Sequence, residues 1–116
     1  MSFLYIASPY THDSHLIHLH RFEAVEEYGA KLLLEKRWCY SPIVHCHEIA
    51  KKYSLPTTFE YWVEYNKAML SRAGGVQVLM LPGWEQSKGI HAEVEYWTKH
   101  LWQPAIEYVK WQGEGG

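Results

Sequence analysis

Residues 76–97 read VQVLMLPGWEQSKGIHAEVEYW and combine the clearest strand of the chain with a loop and a helix start. The first six residues, 76–81, are apolar on both faces of a strand, which is typical of a central strand in a parallel sheet. A proline and a glycine end that strand. After Gly89 the apolar spacing predicts a helix over residues 90–102. A buried strand that leads through a loop into a helix indicates an α/β fold.

The rest of the chain continues this alternation of strands and helices. Predicted strands cover residues 2–7, 37–40 and 104–109, and predicted helices cover residues 15–36 and 57–72, with Thr57 or Thr58 as the cap of the second helix. Residues 43–54 are interpreted as a loop with a short helix over 48–52. This order predicts a doubly wound, flavodoxin-like parallel sheet of four to five strands in the order 2-1-3-4. We expect residues 1–112 to form one domain and residues 113–116 to form a flexible tail.

Composition excludes several function classes. The 116 residues carry a net charge of −2, so no basic excess favours a nucleic acid polymer as a partner. No apolar run reaches membrane-spanning length, no secretory signal precedes the first strand, and the two cysteines follow no paired pattern. We therefore expect a cytoplasmic protein without a membrane partner. Aromatic residues make up 16%, which indicates rings in a pocket or in a subunit interface.

Glu93 is the most informative residue of the predicted fourth helix. Ile90, Val94, Trp97 and Leu101 follow one another at spacings of four, three and four, which places them on one stripe. Glu93 lies on the same inward stripe. A carboxylate that faces inward is costly unless it is paired or used. The spacing alone leaves two interpretations open, a buried structural Glu and an active-site carboxylate.

The predicted topology brings two loops to the same edge of the sheet. Ligands of doubly wound sheets bind beyond the carboxyl ends of the strands, where the winding direction reverses. Ser8 and Pro9 follow the first strand, and Gly83 and Trp84 follow the third, so we expect them side by side. Glu93 begins the helix that leaves this edge, which favours the active-site interpretation.

The loop from Gly83 to Gly89 opens a helix and suits an anion or a sugar hydroxyl. Ser87 is available there as a helix cap or as a ligand donor. The loop does not match the phosphate-loop or dinucleotide-binding glycine patterns. The helix dipole at this end favours an ionised Glu93.

Three further features have both a structural and a functional interpretation. Asn66 is the polar residue on the inward stripe of its helix, where it either bonds to nearby backbone or orients a ligand or Glu93. Tyr5 is either a core residue or part of a pocket wall. The run from His45 to His47 lacks the further ligands that zinc requires, so we expect no metal and no other cofactor.

Three ordered motifs, in residues 5–9, 41–45 and 81–93, resemble the nucleoside 2-deoxyribosyltransferase-like superfamily, and are most similar to a short subgroup from bacteria and their viruses. The resemblance spans residues 3 to about 100. It implies a doubly wound Rossmann-like fold and nucleotide metabolism, with cleavage of a nucleoside or nucleotide N-glycosidic bond. It also implies a homodimer or larger homo-oligomer whose neighbouring subunit completes the pocket.

The resemblance also implies roles for individual residues. Glu93 matches the nucleophile that forms a glycosyl ester, Ser87 a phosphate contact, and Tyr5 a pocket tyrosine. The predicted substrate-binding residues are Tyr5, Ser8, Pro9, His45, Gly83, Trp84, Ser87 and Gly89. The chain departs from the family in carrying Asn66 where an Asp is usual, because an amide cannot donate a proton as an acid. It also carries Gly74-Gly75 in place of an Asp-containing turn.

The leading hypothesis is a hydrolase or transferase, an N-glycosidase acting on a (deoxy)nucleoside or nucleoside 5′-monophosphate through Glu93, with Asn66 in an orienting role. His45 or His91 could supply a proton, and nothing in the sequence selects between them. The alternative is a non-catalytic module that binds a nucleotide or an ADP-ribose-like ligand. A third interpretation is an oligomeric scaffold whose aromatic residues serve contacts only.

Overall fold

The computed structural model describes residues 2–101 and 105–111. Within this part of the chain, four parallel strands form one sheet in the order β2-β1-β3-β4. The strands are β1 (Leu4–Ala7), β2 (Cys39–Tyr40), β3 (Gly75–Leu79) and β4 (Glu107–Val109). The register pairs Leu4 with Cys39 on one side and with Gly75 on the other, and Gln77 with Glu107. The predicted fold class and strand order are therefore confirmed.

Helices cover both faces of the sheet. They are α1 (His15–Leu34), α2 (Pro42–Lys52), α3 (Phe59–Leu70) and α4 (Lys88–Glu95), with a 3₁₀ turn at Trp84–Gln86 and a π-helical turn at Tyr96–His100. Helix α1 packs Val25, Tyr28 and Leu32 against Ile6 and Leu79 on one face. On the other face, α3 packs Leu70, α4 packs Ile90 and the π-helical turn packs Trp97 against Tyr5 and Val78. The two central strands, β1 and β3, are thus buried on both faces, as their apolar sequences predict.

Gln77 is the exception within the apolar third strand, and the structure explains it. Its side chain is 1% exposed. The Tyr28 hydroxyl donates to Gln77 Oε1 at 2.6 Å, and Gln77 Nε2 donates to Glu107 Oε1 at 2.7 Å. Both ends of the amide are satisfied, so its burial costs little. These two hydrogen bonds also link α1 to β4 across β3.

The prediction of a loop over residues 43–47 was wrong, whereas the short helix predicted over 48–52 is present as the end of a longer helix. Helix α2 runs from Pro42 to Lys52, and Ser41 caps it by accepting a hydrogen bond from Val44 N at 3.2 Å. Proline at the first helical position needs no N–H partner and has the helical φ already. The Ser41-Pro42 pair therefore begins a helix and does not merely end a strand.

The other predicted elements are present with shifted ends. Thr58 occupies the N-cap position of α3 without a side-chain hydrogen bond, and that helix ends at Leu70, two residues before the predicted end. The predicted helix over 90–102 is α-helical only to Glu95 and then widens into the π-helical turn. The predicted flexible tail 113–116 lies outside the described residues. No helix within residues 2–101 and 105–111 has the length and apolar character needed to cross a membrane.

Candidate active site

The loops that follow β1 and β3 meet at the carboxyl edge of the sheet. Arg21, from α1, links them, since Nη1 donates to Thr11 O and Nη2 to Pro82 O, each at 3.0 Å. Gly83 follows with φ of +88°, a left-handed backbone that starts the 3₁₀ turn. These contacts hold the two loops side by side, as the predicted topology requires.

A cavity of about 610 Å³ opens at this edge. Its volume falls in the range of about 300–1,000 Å³ that is usual for small-molecule sites. One part of the wall is apolar and aromatic and is contributed by Pro42, Ile43, Phe59 and Trp62. The other part is polar and comes from the two loops and the start of α4. An aromatic wall facing a polar one fits a ligand with a flat ring and a hydrophilic remainder.

Glu93 lies on the wall of this cavity with a side chain that is 8% exposed. The Tyr5 hydroxyl donates a hydrogen bond to Glu93 Oε2 from beneath, in the sheet. Tyr5 itself is fully buried. No Lys, Arg or His of the described residues forms an ion pair with Glu93. The Glu93 carboxyl group is therefore positioned by one phenol, and no counter-ion for it is found among the described residues.

This environment changes the proton affinity of both groups. Burial raises the pKa of Glu93 to about 8, and the hydrogen bond from Tyr5 acts in the opposite direction. Burial, together with the nearby carboxylate, raises the pKa of Tyr5 well above its ordinary value, so Tyr5 stays a donor. With a pKa of about 8, Glu93 can gain or lose its charge near neutral pH when its surroundings change.

Three buried polar atoms of the described residues at the cavity wall have no hydrogen-bond partner. They are Ser8 Oγ, Arg21 Nε and Asn66 Oδ1, and all three residues line the cavity with Glu93. Buried polar atoms are normally satisfied by protein or water. Because these atoms lie at one cavity, water or a ligand in that cavity can supply the missing partners. Asn66 Oδ1 has no hydrogen bond to nearby backbone, which favours the interpretation that Asn66 orients a ligand.

Besides Ser8, three predicted substrate-binding residues line the cavity, namely Gly83, Ser87 and Gly89. Ser87 caps α4, because its Oγ accepts from Ile90 N at 3.2 Å. The hydroxyl of Ser87 is therefore used as a helix cap and can still donate its own proton to a ligand.

The structure places four other predicted binding residues away from the cavity wall. Tyr5 and Pro9 are buried beneath it. His45 is exposed and stacks with Tyr65 at a ring distance of 6.4 Å. The ring of Trp84 lies 5.7 Å from that of Tyr108, on the side of β4. Of these, Tyr5 reaches the site through its hydrogen bond to Glu93.

Several wall residues were not found from the sequence. Helix α2 contributes Ile43, Cys46, His47 and Ala50, whose spacing of three, one and three is that of one helix face. Reading residues 42–52 as an amphipathic helix would have found them. Tyr10 and Arg21 also line the wall, and their positions depend on contacts between distant loops.

A cluster of aromatic and histidine rings lies at the cavity beside α1, and Tyr10 and His47 of this cluster line the wall. Tyr10 Oη and His47 Nδ1 share a hydrogen bond, and the His47 ring stacks on Phe22 at 4.0 Å. The His18 ring lies 4.0 Å from that of Tyr10. Burial lowers the pKa of both His18 and His47, so both rings are neutral at neutral pH. Among the described residues, no three His, Cys, Asp or Glu side chains are arranged to hold a metal ion.

Replacing Gly83 by alanine is expected to destabilise the fold by about 1–2 kcal/mol. The added Cβ would lie 2.5 Å from Arg21 Nη2, and the φ of +88° is unfavourable for any residue with a side chain. Gly89→Ala is the matched control, since its Cβ would meet nothing closer than Ser87 Oγ at 3.9 Å. Chemical unfolding of both variants measures the difference, and equal stabilities would contradict the described loop.

The fold and site together define a doubly wound α/β protein with a buried carboxylate in a ligand-sized cavity at the carboxyl edge of its sheet. The chain belongs to the family described as domain of unknown function DUF1937, whose model matches residues 2–108. No curated protein matches the chain. The family description specifies no reaction, so the function has to be inferred from the residues of the cavity.

Proposed function

We propose that the protein cleaves or transfers at the N-glycosidic bond of a (deoxy)nucleoside or nucleoside 5′-monophosphate, with Glu93 as the nucleophile. The observation that carries this proposal is the buried Glu93 carboxyl group, hydrogen-bonded to Tyr5 on the wall of a cavity of about 610 Å³. The motif resemblance to the nucleoside 2-deoxyribosyltransferase-like superfamily points to the same residue and the same bond.

The proposed reaction has two steps at the anomeric carbon of the sugar. Ionised Glu93 attacks C1′, the C1′–N bond breaks, and its electron pair leaves with the base, which gives a glycosyl ester on Glu93. Water or a second base then attacks C1′ and releases the carboxylate. Tyr5 supports the first step, because its hydrogen bond favours the ionised form of Glu93.

The two parts of the cavity wall suit the two parts of such a substrate. The rings of Phe59 and Trp62 offer surfaces on which a base can stack. Arg21 carries a charge that no carboxylate of the described residues neutralises, and it lies beside Gly83 at the polar end. A cation next to the start of a helix favours an anionic group such as a 5′-phosphate.

A non-catalytic module that binds a nucleotide or an ADP-ribose-like ligand is the second candidate. It is favoured by the raised pKa of Glu93, because a protonated carboxyl group is a hydrogen-bond donor and not a nucleophile. The amide of Asn66 also fits a binding role, since an amide can hydrogen-bond to a ligand without exchanging protons.

A panel of nucleosides and nucleoside 5′-monophosphates separates the two candidates. Free base is measured by chromatography and binding by calorimetry on the same samples. Release of a base that binds the protein supports the enzyme, whereas binding without release over many hours supports the module. If no compound of the panel binds or reacts, the nucleotide assignment is wrong for both.

The expected setting follows from the proposed substrate and from the surface. A cytoplasmic location suits a nucleotide substrate and the free thiols of Cys39 and Cys46, and it remains a prediction. Tyr61 and Tyr65 are exposed on α3, and Tyr53, at the end of α2, is 66% exposed. We expect this aromatic surface to support a homodimer, which sedimentation or scattering in solution would measure.

A further inference from the structure

We propose that one water molecule binds in a small cavity between α3 and α4, where it donates hydrogen bonds to Asn66 Oδ1 and to the Glu93 carboxylate and so holds that carboxylate in place. Asn66 is then a positioning residue, which acts on Glu93 through this water. The water site stands on the cavity and the side chains around it, whereas its effect on catalysis rests on the proposed function.

The small cavity adjoins the large one at Glu93. Its volume is about 20 Å³, and its wall comes from α3 and α4. Phe59, Asn66, Gly89 and Glu93 line both cavities. A cavity holds a water molecule when it offers at least about 10–15 Å³ to the centre of that molecule and supplies about two to four polar partners. The small cavity therefore has room for one water and is too small for a nucleotide.

Two acceptors at the small cavity supply the polar partners. Asn66 Oδ1 is buried and has no hydrogen-bond partner. Tyr5 is the one hydrogen-bond donor to Glu93 that is found among the described residues, although an ionised carboxylate has room for about four such bonds. A water has two O–H groups, so a single molecule can donate to the amide oxygen and to the carboxylate at the same time.

Lys67 is the cationic side chain at the small cavity. Its Nζ lies 3.8 Å from Glu64 Oε1 and 5.5 Å from the centre of the Tyr96 ring, and its side chain is 38% exposed. These contacts hold the ammonium group toward solvent and leave the methylene stem to line the cavity. Within the described residues, Lys67 forms no ion pair with Glu93, so its charge does not take the place of the water.

The other ionisable side chains near Glu93 belong to the wall of the large cavity. They are Tyr10, His12, Arg21, Cys46, His47, Glu60 and Lys88. Lys88 pairs with Glu60 at 2.8 Å, and His47 shares a hydrogen bond with Tyr10. None of these seven residues lines the small cavity. Their effect on Glu93 is therefore common to every protein that differs only in the small cavity.

The proposed water fits both protonation states of Glu93. A neutral carboxyl group donates its proton to the water, and an ionised one accepts from it, while the water donates to Asn66 Oδ1 in both cases. Hydrogen bonds to an ionised group are about twice as strong as those between neutral groups, so the water favours the carboxylate. Like the hydrogen bond from Tyr5, it opposes the burial that raises the pKa of Glu93.

Val63→Ile is the variant that displaces the water and keeps both of its partners. Val63 lines the small cavity and not the large one, and the added methylene group takes the space of the water. Nuclear magnetic resonance of glutamate carboxyl carbons in the ligand-free protein measures the pKa of Glu93, with Glu93→Gln to assign the signal. We expect Val63→Ile to raise this pKa by about one unit relative to wild type. Val94→Ile is the matched control, since Val94 packs against the core and lines neither cavity.

Asn66→Leu removes the amide acceptor and is expected to shift the pKa of Glu93 in the same direction by about one unit. If both variants act by removing the same water, the double variant Val63→Ile/Asn66→Leu shifts the pKa no further than either single one. Independent effects would add instead. A purely structural role of Asn66 would lower the midpoint of thermal unfolding and leave the pKa of Glu93 unchanged.

The catalytic effect of the water is read from the pH profile of base release. At a pH below the midpoint, Val63→Ile is expected to lower kcat/KM about tenfold, because about a tenth of the ionised form remains after a shift of one unit. Well above the midpoint, kcat/KM should match the wild type. A shifted pKa with an unshifted pH profile would overturn the catalytic effect.

A crystal structure of the ligand-free protein tests the water site directly. We expect an ordered water within about 2.6–3.2 Å of Asn66 Oδ1 and of a Glu93 carboxyl oxygen, and none in Val63→Ile. A dry small cavity in the wild type, an unchanged pKa in a folded Val63→Ile protein, or additive shifts in the double variant would each overturn the inference and leave the proposed function standing. The expected water and pKa shifts in a protein that releases no base would support the water site and overturn the proposed function.

Discussion

Glu93→Gln is expected to lower base release by at least about 10³-fold, because an amide cannot form the glycosyl ester. The loss should appear in turnover, while the binding of the nucleotide is kept. Glu95→Gln is the matched control, since Glu95 lies two residues further along α4 and is exposed. Chromatography of released base measures both variants at equal protein concentration.

The same substitution is expected to stabilise the fold in a pH-dependent manner. The pKa of Glu93 is raised from 4.5 to about 8, so the folded protein binds more protons than the unfolded chain between these values. Its stability therefore falls as pH rises from about 4.5 to 8 and levels off above. Glutamine does not titrate, so the advantage of the variant grows by about 1.4 kcal/mol per pH unit in that window at most.

A variant that loses activity and gains stability would indicate that Glu93 is kept for function at a cost to the stability of the fold. Replacing a Glu with a purely structural role would instead lower that stability. Chemical unfolding of wild type and variant at pH 5.5 and 8.5 measures this. A variant that keeps full activity, or that is less stable than wild type at pH 8.5, would contradict the role of Glu93.

A second large effect is expected in the dependence of kcat/KM on pH, which reports the ionisation of groups in the free enzyme. A nucleophile must be ionised, and the pKa of Glu93 is about 8. We expect kcat/KM to rise about tenfold per pH unit below pH 7 and to level off above about pH 8. A general acid would give the opposite slope, so a rate that falls through pH 8 would exclude Glu93 as the nucleophile.

Tyr5→Phe is expected to move this profile to higher pH. The hydroxyl of Tyr5 lowers the pKa of Glu93 through its hydrogen bond, and its removal leaves the effect of burial unopposed. Tyr108→Phe is the control, since Tyr108 is 47% exposed and lies on the last strand. If Tyr5 had only a structural role, Tyr5→Phe would change the stability of the fold and leave the midpoint of the pH profile unchanged.

The inward direction of Glu93 was readable from the sequence. Ile90 and Trp97 are each 1% exposed and Glu93 is 8% exposed, so the stripe predicted from their spacing is confirmed. Periodicity is reliable here because α4 packs flat against a buried strand. What the stripe could not reveal is Tyr5, whose hydrogen bond to Glu93 joins residues 88 positions apart.

The part of the site contributed by α2 was missed for a different reason. The chain after the predicted second strand was interpreted mainly as a loop, although serine before proline, as in Ser41-Pro42, is also a helix start. Once α2 is helical, His47 lines the cavity, whereas His45, the predicted binding residue, is exposed away from it. The position of Arg21 depends on two loops that meet only in the folded sheet, which no local pattern encodes.

Mass spectrometry of a trapped intermediate tests the central claim most directly. A 2′-fluorinated nucleotide that carries the base released in the panel slows hydrolysis of the ester, because fluorine destabilises positive charge at C1′. The account predicts a sugar phosphate bound covalently to the peptide that contains Glu93, and no adduct in Glu93→Gln. Base release without an adduct, or an adduct on another residue, would contradict it.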